Sequence, residues 1–167
     1  MPYLDNIKLM NSRILSGSFR NFSGAKTRYN DLGNRNFCIA IDDEEQAQDL
    51  LDLGWNVKCR PPREEGDAPL HYIKANIRFQ SKTPAVVYVV KNGHRTLLTE
   101  DTIGMLDSMR ITKVDVELIG WKSKEALETD PYSTYVKTLY VHVEVDDFAN
   151  LYMDDNTPLD TDELPFD

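Results

Sequence analysis

A chain of 167 residues with 41% hydrophobic content has room for one domain with a substantial core. No stretch approaches the roughly 20 apolar residues that cross a bilayer, and Met1-Pro2-Tyr3-Leu4-Asp5 lacks the basic and apolar regions of a signal peptide. A soluble, cytoplasmic protein without a membrane partner is therefore expected. The net charge of −9 excludes a uniformly cationic surface, yet residues 138–167 alone hold nine acidic residues and no Lys or Arg. With those nine set aside, the 28 acids of the chain fall to the number of its 19 basic residues.

Ile7 to Leu15 mixes apolar and polar residues and reads as a first strand continuing toward Phe22. Ser23 to Lys26 and Asn30 to Asn34 supply turn residues on both sides of Thr27-Arg28-Tyr29, a charged loop or hairpin tip. Arg35 to Ile41 becomes apolar on both faces after two residues, as in a central strand. Asp42 then suits an N-cap, with Glu45 completing a capping box, and the helix that follows places Ala47, Leu50 and Leu51 on one side before Gly54 ends it. Trp55 to Arg60 alternates with Trp55, Val57 and Cys59 inward. Cys38 and Cys59 each lie in a strand-like run, which favours buried thiols.

Leu70 to Phe79 is the most informative alternation. One parity gives a core face of His71, Ile73, Ala75, Ile77 and Phe79, and the other gives Tyr72, Lys74, Asn76 and Arg78. Ala85 to Val90 and Arg95 to Leu98 flank Asn92-Gly93, a strong hairpin signal. Thr99 is placed to cap a short second helix with Glu100 and Asp101 in its first turn. Two longer strands follow, Ile111 to Ile119 with Val114, Val116 and Leu118 inward, and Thr134 to Val145 with Leu139, Val141 and Val143 inward. Gly120 to Lys124 opens the polar loop between them.

Residues 1–41 carry Lys8, Arg13, Arg20, Lys26, Arg28 and Arg35 against only Asp5 and Asp31, interleaved with Phe19, Phe22 and Tyr29. Cations for phosphate and rings for bases are what a groove for single-stranded nucleic acid needs. Tyr72, Lys74 and Arg78, joined by Lys58 and Arg60 on the preceding strand, offer the same combination on a sheet face, and Trp121 with Lys122 adds a candidate ring and cation. The competing reading is an ordinary polar loop and a solvated sheet face. For catalysis the chain offers no phosphate loop, no Gly-x-Ser-x-Gly elbow and no Cys-x-x-Cys pair. His142, Glu144 and Asp146 share one strand parity, but alternating polar residues are common on exposed strands. No catalytic residue, metal site or cofactor is assigned.

The final stretch, Asp154 to Asp167, is acidic and closes on Leu164-Pro165-Phe166-Asp167. It holds too little apolar surface to offset the entropy of ordering itself and is expected to be a mobile tail. Asp160-Thr161-Asp162-Glu163-Leu164-Pro165-Phe166 resembles the acidic tip of bacterial single-stranded DNA-binding proteins, a docking peptide for replication, recombination and repair proteins. On that resemblance Asp162, Glu163, Leu164, Pro165, Phe166 and Asp167 are the partner-docking residues. Asp167 departs from the pattern, in which the Phe carries the terminal carboxylate.

The body, through Asn21-Phe22-Ser23-Gly24, Arg35 to Asp42 and Gly54-Trp55-Asn56-Val57-Lys58, resembles phage-encoded single-stranded DNA-binding proteins over most of residues 18–145. The resemblance implies a mainly β fold, an OB-type β-barrel elaborated with extra strands and two short helices, followed by a disordered acidic tail. It divides the chain into a DNA-binding domain over 1–152 and a docking tail over 153–167. The expected function is sequence-independent coating of single-stranded DNA during phage replication and recombination, with recruitment of partner proteins and room for a homo-oligomer. A protein-interaction module whose body never touches DNA is the alternative.

Overall fold

The two-residue periodicity of the sequence is realised almost everywhere as β-structure. The computed structural model describes residues 3–144, and the docking residues Asp162 to Asp167, like the whole expected tail, lie outside them. The strands are β1 (Ile7–Ser12), β2 (Arg20–Asn21), β3 (Arg35–Ala40), β4 (Val57–Arg60), β5 (Leu70–Ile77), β6 (Val86–Lys91), β7 (His94–Leu98), β8 (Ile111–Trp121) and β9 (Ser133–Val143). A single α-helix, α1 (Glu44–Leu53), joins β3 to β4 among the described residues.

The sheet runs β1-β8-β9-β5-β3-β2, with β4 paired to β5 and the β6–β7 hairpin attached to β9 through β6. This hydrogen-bonded path is open, but its two end strands are consecutive parts of one bent segment. Asn11 (φ 53°) breaks the β1 register between Leu9 and Ser12, a left-handed conformation that Asn tolerates better than most residues. The Asn11 N–H is held by Asp115 Oδ1 at 2.7 Å. Ser12 still pairs with Val114 of β8, and beyond it the chain joins β3. Ala40 N–H donates to the Arg13 carbonyl at 2.8 Å, and Leu15 N–H donates to the Cys38 carbonyl at 2.9 Å. Arg20 and Asn21 then pair with Phe37 and Asn36. The first strand therefore does continue toward Phe22, interrupted by a 3-10 turn at Gly17–Phe19.

Inward-facing residues of these strands form one core. Ile73, Ala75 and Ile77 of β5, Val114, Val116 and Leu118 of β8, and Leu139, Val141 and Val143 of β9 are all buried there, as their parity requires. Ala47 and Leu50 of α1 and Trp55 close one end, while Leu51 is exposed. The helix begins one residue later than its capping box suggests. Asp43 is the N-cap, accepting from the N–H groups of Glu45 and Gln46, because Asp42 is engaged with Arg13 at 2.7 Å. Gly54 ends the helix at φ 109°, a conformation that glycine adopts without steric cost.

Three further expectations are corrected. The second helix is a 3-10 helix, Ile103–Ser108, with Thr102 in place of Thr99 at its N-cap position and no side-chain cap. The Thr102 hydroxyl accepts from the Thr99 N–H at 2.8 Å, so the two threonines form a turn ahead of the helix. Cys59 is exposed, since its partner on β5 is His71 at the rim of the sheet, one pair beyond the core contacts of Val57 with Ile73. His71, near the start of β5, and Phe79, two residues past its end, both placed in the core by parity, are only half-buried, Phe79 packing against the core from its edge. No helix among the described residues is long and apolar enough to cross a membrane.

Candidate nucleic-acid interface

With the core on one side of β3, β4 and β5, the opposite parity of these strands faces outward. Register places Lys58 beside Tyr72, Lys74 beside Cys38, and Asn36 beside Asn76. Cys38 and Ala40 on this face are nonetheless buried, together with Leu15, because Phe19, Leu70 and Tyr72 pack over them. The face thus has a small apolar floor. Phe19 and Tyr72 meet edge to face with ring centroids 5.6 Å apart, and the Arg60 guanidinium lies 5.7 Å from the Phe19 centroid.

The loop over residues 22–34 forms the far wall of a trench above this floor. It is folded onto itself by Asn30, whose Nδ2 donates to the carbonyls of Ala25, Asp31 and Asn34 at 2.9 to 3.1 Å and whose Oδ1 accepts from Asn36 Nδ2 at 3.0 Å. Arg28 and Tyr29 stand at its crest, with Tyr29 76% exposed. The trench between them and the sheet is lined by Phe19, Tyr29, Tyr72, Arg28, Lys58 and Lys74. Lys58 and Lys74 have no ion-pair partner among the described residues. Burial pushes the Cys38 thiol beneath them up to about 11, outweighing the attraction of Lys74 and Lys58 for a thiolate. The floor therefore stays neutral at pH 7, and the cations above it have no countercharge there.

Three rings and four cations in and beside one channel, over a neutral floor, are chemically suited to a chain of bases joined by phosphates. A family model described as a putative phage ssDNA-binding domain matches residues 2–163. The chain belongs to this family. No curated protein and no solved structure matches it at a significant level.

As a member of the phage ssDNA-binding domain family the chain has single-stranded DNA as its partner, and the sequence-derived candidates can be sorted by where they lie. Tyr29, Arg28, Lys58, Arg60, Tyr72 and Lys74 come together around the trench. Arg78 continues the outward parity one residue past the end of β5, its guanidinium 4.7 Å from the Tyr135 ring centroid. Trp121 is 37% exposed and close to it. Lys26 is exposed on the loop and is not among the trench-lining residues.

Four candidates are engaged by the fold itself. Phe22 is 0% exposed and stacks on Phe37 in the core at 5.3 Å, so it has no face left for a base. Arg20 lines the trench, but its Nη2 donates to the carbonyls of Met109 and Asp107, at 2.9 and 3.5 Å. Arg35 sits opposite Ile77 on the core parity of β3, with Nη1 3.5 Å from Glu100 Oε2. Lys122 donates Nζ to the carbonyls of Leu127, Glu128 and Asp130 at 3.1 to 3.2 Å and so organises its own loop. Phe19, and not Phe22, is the ring of this stretch that the fold turns toward the trench. It lies in the same aromatic and basic stretch as Phe22, and only the turn at Gly17 (φ 70°) decides which ring faces outward.

The histidine and acid parity on β9 is also accounted for. His142 Nε2 lies 3.0 Å from Asp115 Oδ2 and Glu144 pairs with Arg110 at 3.3 Å, while Asp146 lies outside the described residues. Burial works against ionisation of Asp115, but the Asn11 N–H and His142 prevail and hold its carboxyl below the usual value.

Proposed function

We propose that the chain is a sequence-independent coat for single-stranded DNA, acting in phage DNA replication and recombination by binding and not by catalysis. The observation that carries this reading is the trench, where Phe19, Tyr72 and Tyr29 are interleaved with Lys58, Lys74, Arg28 and Arg60. Rings recognise the flat faces common to all bases and cations the common backbone, so affinity needs no base-edge readout. In this reading the open sheet is an elaborated OB-type barrel, in which the bent segment 7–21 serves both edges and the outer strand face carries the ligand. The acidic residues 154–167 serve as a docking peptide for partner proteins and, when DNA is absent, as a phosphate mimic for the body.

A titration of labelled oligo-dT against duplex of equal length, at two salt concentrations, tests the proposal. The expected result is selective binding to the single strand that weakens as salt rises. Failure to bind oligo-dT, or equal affinity for duplex, would overturn it. Truncation after Met153 in the same assay is expected to tighten binding at low salt and to flatten the salt response. Unchanged affinity would remove the mimic role while leaving the coat reading intact.

A further inference from the structure

We propose that Tyr3, Trp121 and Tyr135 form a second nucleobase subsite, at the far end of the β5 face from the trench. The proposal rests on the single-strand reading above and extends it from Trp121 and Arg78, separate candidates in the sequence, to one pocket completed by Tyr3 and Tyr135. Tyr72, in the trench, and Arg78 are six residues apart with the same parity, which puts their side chains about 20 Å apart along the strand. Between them lie the exposed Lys74 and the half-buried Asn76, which pairs with the buried Asn36. Asn76 Nδ2 is bound to the Thr134 carbonyl at 3.0 Å, which ties β5 to the start of β9. The face therefore has two aromatic stations joined by a polar corridor.

The second station is a pocket of about 300 Å³ with Tyr3, Ile119, Trp121 and Tyr135 as its apolar walls and Arg78 and Lys82 as its cations. Tyr3 and Trp121 stay 59% and 37% exposed, a costly disposition for two neighbouring large rings unless something covers them. Their proximity is built into the backbone. Tyr3 bridges Trp121, and Leu4 N–H donates to the Gly120 carbonyl at 3.0 Å. A Cβ on Gly120 would meet the Leu4 side chain at 2.9 to 3.2 Å, so the glycine gives Leu4 room to pack where the segment bridges β8. Rings flanked by Arg78 and Lys82 suit a base whose phosphates are met at the pocket edge. Arg78 is also the residue through which the pocket continues the cationic face of β5.

Oligo-dT of increasing length, from about four to about sixteen nucleotides, the range of single-domain footprints, tests the subsite on the full chain. The shortest oligonucleotides fill the trench alone, and longer ones reach Trp121. Trp121→Ala is expected to bind the shortest as the unsubstituted chain does and the longest about tenfold more weakly, the order of one lost stacking partner. Trp121→Phe, which keeps a ring, is expected to retain the affinity. Intrinsic fluorescence gives a readout that needs no variant. Trp121 and Trp55 are the two tryptophans and Trp55 is 2% exposed, so quenching that begins only above a threshold length reports a base on Trp121. An equal loss at every length, or no loss and no quenching at any length, overturns the subsite while trench binding stands. Absence of binding at all lengths in the unsubstituted chain would overturn the single-strand reading and the subsite with it.

Discussion

Phe22→Ala lowers folding stability by about 3 to 5 kcal/mol, the usual effect of emptying a fully buried aromatic position, whereas Phe19→Ala leaves the fold largely intact and weakens single-strand binding. The two rings are three residues apart in the same basic stretch, and their burial separates them. Phe22 is fully buried against Phe37, and its N–H is fixed by Asp107 Oδ1 at 2.7 Å, so truncation leaves a cavity that the clamped backbone cannot close. Phe19 lies on the outer face, edge to face with Tyr72. Its loss removes a platform for a base, an effect of roughly 1 to 3 kcal/mol on binding. Urea unfolding and oligo-dT titration on both variants measure the two effects. A Phe22→Ala chain with an unchanged unfolding midpoint, or a Phe19→Ala chain with unchanged affinity, would contradict this assignment.

That pair also marks the limit of what the sequence discloses. Where a strand is long and has one buried face, parity is enough. Tyr72, Lys74 and Asn76 lie on the outer face of β5 as alternation predicts, Arg78 continues it one residue past the strand end, and Asn92-Gly93 turns β6 into β7. Between Leu15 and Phe22 the strand is broken by the 3-10 turn, and across such a turn parity no longer relates one ring to the next. Charge is equally legible as a count and illegible as a disposition. Arg20 and Lys122 read as free cations, but the carbonyls they bind belong to segments at 107–109 and 127–130, placed beside them only by the fold. Arg35 likewise meets Glu100, 65 positions along the chain. The trench depends on Asn30 gathering three carbonyls of its own loop, and turn residues announce such a loop without stating which way it folds.

Lys58 and Lys74 are the opposite case, cations that the fold leaves available, and neutralising both is expected to produce the largest change in the electrostatics of binding. In Lys58→Gln/Lys74→Gln the slope of log affinity against log salt should become shallower by about 1.4, since each phosphate contact on a single strand contributes about 0.7. Both side chains stand over the neutral thiol of Cys38 and have no ion-pair partner among the described residues. No ion pair among the described residues is therefore broken by the change, and stability should hold. Affinity at low salt should fall by one to two orders of magnitude, on the scale of counterion release for two contacts, and approach that of the unsubstituted chain as salt rises. Lys122→Gln supplies the contrast. Its ammonium is held by three carbonyls and lies 4.6 Å from the Tyr132 ring centroid, so its removal should loosen the loop over 123–131 and leave the salt slope unchanged. If Lys122→Gln flattened the slope as the trench variant does, the strand would run past the β8–β9 loop, and the trench could not be its principal track.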